Sequence, residues 1–245
     1  MTPPTTCVTP PASPATSRMF TRILTSALIA GASAGFLTAL LQLAFVQPVL
    51  LQAELYETGA LTYTPGSPWP QVPFAFDPMR DGLSILFTML IYAGYGLILV
   101  ALMSLAEERQ AVISGRTGLL WGVAGFIAVH LAPGFSLAPE VPGVAAADIT
   151  ARQIWWFATV IAACVALWLI AFGKGWSAWA PAVVLLLAPH IVGAPQPEVV
   201  AGPVPPEIAA LFAARALGVG LAAWVMLGGL AGVLWASDAE VREAA

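Results

Sequence analysis

The sequence predicts an all-α fold: a polytopic bundle of about six transmembrane helices, with five as the alternative count. Three observations predict it. The 245 residues are 59% hydrophobic and 9% charged, with a mean hydropathy of +0.86. A soluble domain carries roughly 25% charged residues, so this chain lacks the polar surface needed to face water. Its apolar residues are gathered in runs close to or beyond the ~20 residues that cross hydrocarbon, and Pro- and Gly-bearing loops separate the runs.

Residues 1–18 are a different material, rich in Pro, Thr and Ser and without apolar periodicity. Such a stretch cannot bury enough surface to fold, and it lacks the charged-then-apolar layout of a signal peptide. Met19-Phe20-Thr21-Arg22 reads as a natural beginning. The expectation is therefore either a true start at Met19 or a disordered tail ahead of it. A helical domain follows over 19–236, and residues 237–245 form a short cytoplasmic tail. Cys7 and Cys164 are far apart, one of them in an apolar run, and do not make a disulfide framework.

Six apolar segments follow in order: about Phe20 to Val46, Leu83 to Ala106, Thr117 to Leu131, Gln153 to Phe172, Trp176 to Val192 and Ile208 to Trp235. The third and fifth are near the lower limit of roughly 17 residues for a spanning helix, and the fifth contains Pro181. Both are candidates for partly re-entrant segments. Asp77-Pro78 reads as an N-cap with Pro at the first helical position. Asp148 reads as a second N-cap, with Arg152 as its i,i+4 partner. Gly31 and Gly35, Gly118 and Gly122, and Gly228 and Gly232 repeat a small-xxx-small spacing that suits close helix packing. Trp155, Trp156, Trp176 and Trp235 read as interfacial anchors.

Charge asymmetry orients the bundle. With the N-terminus in the cytoplasm, Arg18, Arg22, Arg109, Arg116, Lys174 and Arg242 lie inside, six of the nine basic residues. Arg80, Arg152 and Arg215 lie outside. Eight of the thirteen acids lie outside as well: Glu54, Glu57, Asp77, Asp81, Glu140, Asp148, Glu198 and Glu207. The outer face is net acidic and concentrates cations by its field. No basic cluster exists to attract nucleic acid.

In this arrangement the third and fifth spans both run outward. They carry the only two histidines, His130 in His130-Leu131-Ala132-Pro133 and His190 in Ala188-Pro189-His190-Ile191. Each is followed by a Pro-rich loop with a Pro-Glu-Val triplet, at Pro139-Glu140-Val141 and Pro197-Glu198-Val199. His-to-Glu separations are 10 and 8, and His-to-Arg separations, to Arg152 and Arg215, are 22 and 25. The match is a weak internal repeat of the kind transporters contain. Imidazole binds divalent transition metals readily, so His130 and His190 at one mouth are candidate ligands. The competing reading is interfacial packing, in which each ring bonds a carbonyl or water and does nothing else.

Oxygen ligands are expected from Glu140, Glu198, Glu54 and Glu57. The last two stand three residues apart, which places them on one face if the first helix continues past the bilayer; a solvated helix end accounts for them equally. Arg215 lies inside an apolar helix start and needs a counter-charge there, with Glu54 or Glu198 as candidate partners. Gly31-Ala32-Ser33-Ala34-Gly35 formally matches a nucleophile elbow, but that motif needs a strand-to-helix turn and Ser33 falls mid-helix. No P-loop, nicotinamide fingerprint, CxxC or HExxH is present. No catalytic residue is assigned, and the chain is expected not to be an enzyme and not to bind ATP itself.

Several stretches resemble the CbtA family of predicted cobalt transporter subunits of bacteria, over Met19 to Trp235. They are Met19-Phe20-Thr21-Arg22-Ile23-Leu24 with Leu40-Leu41-Gln42, and Gln52-Ala53-Glu54-Leu55-Tyr56-Glu57. The run from Trp121-Gly122 through His130-Leu131-Ala132-Pro133-Gly134 and Pro139-Glu140-Val141-Pro142-Gly143 to Ala151-Arg152-Gln153-Ile154-Trp155-Trp156 is similar too, as is Pro189-His190-Ile191-Val192-Gly193-Ala194-Pro195. The resemblance implies a multi-pass cobalt uptake component of the cytoplasmic membrane, linked to cobalamin synthesis. It implies a small single-span CbtB-type partner that carries its own histidines. The family is usually described with five spans. Co2+ is then the transported ion and no cofactor is permanently bound; Ni2+ and Zn2+ suit the same ligands. Two imidazoles are too few for an octahedral ion, so carboxylates, water or the partner complete the shell. Two other readings stand beside this one: a bis-histidine haem protein with His130 and His190 as axial ligands, and a non-transporting scaffold for a partner subunit.

Overall fold

A computed structural model describes residues 14–64, 70, 76–198 and 201–243, with side chains described from residue 19 to 237. Among these residues there are helices and loops and no strand. Cys7 lies outside the described residues. Helix α1 (Pro14–Leu41) passes through a π turn, Gln42–Val46, into α2 (Gln47–Glu57). Helix α3 (Pro78–Glu107) follows. Helix α4 (Gly115–Phe126) passes through a second π turn, Ile127–Leu131, into α5 (Ala132–Ser136). Then come α6 (Ile149–Phe172), α7 (Trp176–Val192) and α8 (Pro206–Glu243).

Five of the resulting rods are long and apolar enough to cross a membrane, and the third is one of them. It runs over Gly115–Ser136, 22 residues, rather than the short Thr117–Leu131 expected. The sequence obscured this because Pro133 looks like a terminator. Pro lacks an N–H and collides with the carbonyl four residues back. Here the chain widens into a π turn just before the Pro, and the rod continues. The first rod uses the same device, with Pro48 following the π turn at Gln42–Val46.

Helix α7 has 17 residues, about 25 Å at 1.5 Å per residue, slightly less than the ~30 Å hydrocarbon thickness. It forms an antiparallel hairpin with α6, and Trp155, early in α6, donates its Nε1–H to the Pro189 carbonyl near the end of α7 at 3.2 Å. The end of α7 therefore lies beside the start of α6 and does not turn back.

Helix α8 is the central rod, with 44% of its most apolar window buried against 22–33% for the other long rods. It packs on α1 and α4, and α1 packs on α3. The α1–α3 and α4–α8 contacts run through glycine. At Gly31 and Gly35 the α3 backbone at Ala93 and Met89 occupies the space a Cβ would need. At Gly122 a Cβ would fall on the Trp224 carbonyl, and Gly118 meets Gly228 and Gly232 backbone to backbone. In a bilayer, helices gain little by excluding lipid from one another, so close backbone approach and dispersion contacts supply the association. Alanines complete the core: Ala27, Ala30 and Ala34 face Tyr92, Val100 and Met103, while Trp224, Leu227 and Ala231 line α8.

Each end of the bundle is tied. At one end Arg22 stacks 3.6 Å from the Trp235 ring centroid, donates to the Trp235 carbonyl at 2.6 Å and approaches Glu107 at 3.8 Å. Trp235 Nε1–H donates to Glu107 at 3.2 Å. At the other end Val49, Ala53 and Tyr56 of α2 pack with Val141, Val204 and Ile208, closing the long loops over the helix ends.

Candidate functional site

Both histidines and the Glu140–Arg152 pair lie toward this second end. His130 sits in the second π turn, where the widened backbone turns its ring toward α8. The ring stacks on Phe126 with centroids 6.0 Å apart and meets Trp224 edge-on at 6.3 Å. Gly220 of α8 lies beside it, with no side chain to cover the ring. Nε2 of His130 is buried and has no hydrogen-bond partner. Buried polar atoms are nearly always paired, so an orphaned imidazole nitrogen marks a place for a ligand or an ordered water. The ring borders a pocket of about 200 Å³ whose wall includes Pro133, Gly134, Pro139, Arg152 and Trp156.

His190 closes α7. Its Nδ1 lies 2.8 Å from the Ser136 hydroxyl at the end of α5. Its ring is edge-on to Phe135 at 5.2 Å and to Trp155 at 6.0 Å. Ser136 is six residues beyond His130, roughly 9 Å along the rod at helical rise. Both histidines therefore occupy the same end of the bundle, with His130 the deeper. Among the described residues, no three His, Cys, Asp or Glu side chains converge to hold a metal ion.

The carboxylates divide by environment. Glu140 is half-buried and accepts from Nη2 of Arg152, a residue of the pocket wall, at 2.6 Å. Arg152 Nε is buried without a hydrogen-bond partner. This corrects the expected Asp148–Arg152 pair. Asp148 turns back to cap α6, accepting from the Ala151 amide at 2.9 Å, and its side chain is committed there. Arg152, one turn further on, reaches across to the loop that carries Glu140. Glu54 is half-buried and Glu57 exposed at the end of α2, which does continue through Glu57 as one helix with both on it. Glu198 is exposed in the loop after α7.

Arg215 is a second correction. Neither Glu54 nor Glu198 meets it; its Nη1 donates to the Phe45 carbonyl at 2.9 Å, in the first π turn. Ser33 faces outward from the middle of α1, on its exposed side.

Sequence reasoning passed over Asp81. Its side chain is fully buried and accepts from Gln47 Nε2 at 2.7 Å, Arg80 Nε at 2.8 Å and the Asp77 amide at 3.0 Å. About two turns further along α3, Thr88 donates to Gln42 at 3.1 Å. These side chains form a polar seam between the first rod and α3. The available signal was the pairing of Gln42 and Gln47, five residues apart in an otherwise apolar run. Ser136 was also missed, because a lone serine after Phe135 carries no pattern.

The fold defines a class: a polytopic helical bundle whose long apolar rods suit a membrane. Residues 20–236 match the family model described as "Probable cobalt transporter subunit (CbtA)". That range covers nearly the whole helical region, and the chain belongs to this family. Membrane, transport and cobalt are thus properties of its family, and a subunit works in company with other chains. No curated protein and no solved structure matches the sequence.

Proposed function

We propose that the chain is the multi-pass subunit of a cobalt uptake system in the bacterial cytoplasmic membrane, with its N-terminus in the cytoplasm. Its acidic, histidine-bearing end faces outward, and a single-span CbtB-type subunit accompanies it. The observation that carries this reading is the buried, partnerless Nε2 of His130 beside a pocket walled by Arg152, the residue that Glu140 pairs with. A neutral imidazole nitrogen and a carboxylate oxygen suit a divalent ion of cobalt's class.

The acidic loops at this mouth, with Glu54, Glu57 and Glu198, raise the local concentration of cations. His190, held by Ser136, supplies an outer contact, and His130 an inner one. The Arg152 guanidinium in the same pocket wall repels a cation and weakens its hold. A conduction site needs such weakness, because an ion bound too tightly does not leave. Water or the partner subunit completes the shell.

Uptake of radioactive cobalt by cells expressing the chain with its partner tests the proposal. His130→Ala and His190→Ala are each expected to lower uptake at limiting cobalt. Uptake unchanged in both variants, with loss of uptake when the whole chain is deleted, would instead identify a scaffold for the partner.

A further inference from the structure

We propose that the groove between α8 and the first π turn binds an anionic phospholipid, with Arg215 on the headgroup phosphate and an acyl chain along Gly218 and Ala222. The groove has a volume of about 310 Å³ and is lined by Leu41, Phe45, Arg215, Gly218, Val219 and Ala222. Phe45 is 51% exposed, so the groove opens sideways, toward the bilayer, rather than into the bundle.

Arg215 is the one charged side chain in this lining. It spends one donor on the Phe45 carbonyl, and a guanidinium has five. No carboxylate among the described residues bridges it. A cation at membrane depth without a counter-charge is costly, so the missing anion must come from outside the chain. The polar seam of Gln47, Asp81 and Arg80 lies within a turn of Phe45 and marks the headgroup boundary. Phosphate is the anion a bilayer presents there, and its oxygens accept a guanidinium in bidentate fashion. Below Arg215, Gly218 and Ala222 fall at i+3 and i+7 on the same face of α8. A Cβ at Gly218 would meet nothing within 4 Å. Gly218 therefore leaves open space for a chain of methylenes and is not spent on a helix contact, unlike Gly228 and Gly232.

The full chain, purified in detergent, is titrated with dioleoylphosphatidylglycerol, with dioleoylphosphatidylcholine and with inorganic phosphate. Tm and native mass spectrometry are the readouts. The expected result is a rise in Tm and retained phosphatidylglycerol adducts, with a smaller effect of phosphatidylcholine and none of inorganic phosphate. Arg215→Ala removes the anion partner, and Gly218→Leu fills the groove while leaving the cation. Each is expected to weaken phosphatidylglycerol binding at least roughly tenfold, the factor carried by about 1.4 kcal/mol, whereas Arg116→Ala is not. If Arg215→Ala does not fold, Gly218→Leu decides. Equal effects of the two lipids, an effect of inorganic phosphate alone, or unchanged binding in Gly218→Leu overturns the proposal. So does loss of a co-purified partner chain from Gly218→Leu when phosphatidylglycerol has no effect on the parent.

Discussion

The hydroxyl of Ser136 and Nδ1 of His190 lie 2.8 Å apart, joining two positions separated by 54 residues. Ser136 ends the rod that carries His130, and His190 stands near the end of α7. One hydrogen bond therefore fixes the ends of both rods at the same mouth, and the Trp155 bond to Pro189 braces the same corner. In the proposed topology α7 crosses the bilayer despite its 17 residues. A short hydrophobic stretch is accommodated by local thinning of the bilayer or by packing against a longer neighbour, and α6 is that neighbour.

Topology reporters inserted after Pro133 and after Gly193 are accordingly expected to report the same side of the membrane, and a reporter after Lys174 the opposite side. Opposite readings at Pro133 and Gly193 would falsify both the six-rod arrangement and the shared mouth.

Glu140 and Arg152 are both about a quarter exposed and meet at 2.6 Å. Partly exposed pairs contribute on the order of 1 kcal/mol or less, so this bridge matters more for what it withholds than for stability. In the proposed uptake cycle Glu140 is held on Arg152 until a metal ion competes for it. Arg152→Gln is expected to leave Tm nearly unchanged and to lower the cobalt concentration giving half-maximal uptake. Glu140→Gln is expected to raise that concentration. Concentration-dependent uptake of radioactive cobalt separates the two directions, and a shift of the same sign in both variants would remove the exchange from the mechanism.

Much of the fold could be read from residue type alone. A bilayer demands long apolar segments, and glycine pairs at four-residue spacing announce where rods approach, as Gly118 and Gly122 do against α8. The N-cap at Asp77 was equally visible, because an Asp before a Pro suits the first turn of a helix, and its side chain accepts from the Met79 and Arg80 amides at 2.9 Å. The site was less legible. Partners of charged groups are set by tertiary placement, and a long Arg side chain reaches several competing acceptors. Arg152 therefore met Glu140 rather than Asp148, and Arg215 met a carbonyl. The π turns were invisible because a Pro in an apolar run reads equally as an end or a bend. The burial of Asp81 was hidden because its partner Gln47 lies 34 residues away.

That buried carboxylate gives a stability prediction. Asp81 holds three donors from both rods, while Asp77, exposed, holds only the two amides of its own helix. Losing an N-cap costs about 1 kcal/mol. Losing Asp81 strands the buried Gln47 amide and unties the first rod from α3, and a stranded buried donor bears its full desolvation penalty. Asp81→Ala is expected to lower the Tm of the purified protein more than Asp77→Ala does. A double variant with Gln47→Leu should recover part of the loss, because both partners are then apolar. The absence of any recovery would show that Gln47 is not the partner that matters.

The helix contacts make the sharpest contrast. At Gly122 a Cβ would fall on the Trp224 carbonyl, and at Gly228 it would fall on Gly118. Even alanine there must push α4 away from α8, and overpacking of this kind costs about 1–3 kcal/mol or more. Gly94 lies in α3 with nothing within 4 Å of its would-be Cβ. Alanine at this position only removes the helix penalty of glycine, about 1 kcal/mol. Gly122→Ala and Gly228→Ala are therefore expected to lower Tm and the yield of monodisperse protein, and Gly94→Ala to raise Tm slightly. Thermal unfolding followed by size-exclusion chromatography in one detergent compares them directly. If Gly122→Ala were as stable as Gly94→Ala, α4 and α8 would not approach through backbone contact. The central place of α8 in the bundle would then lose its main support, because the α4 interface is its closest.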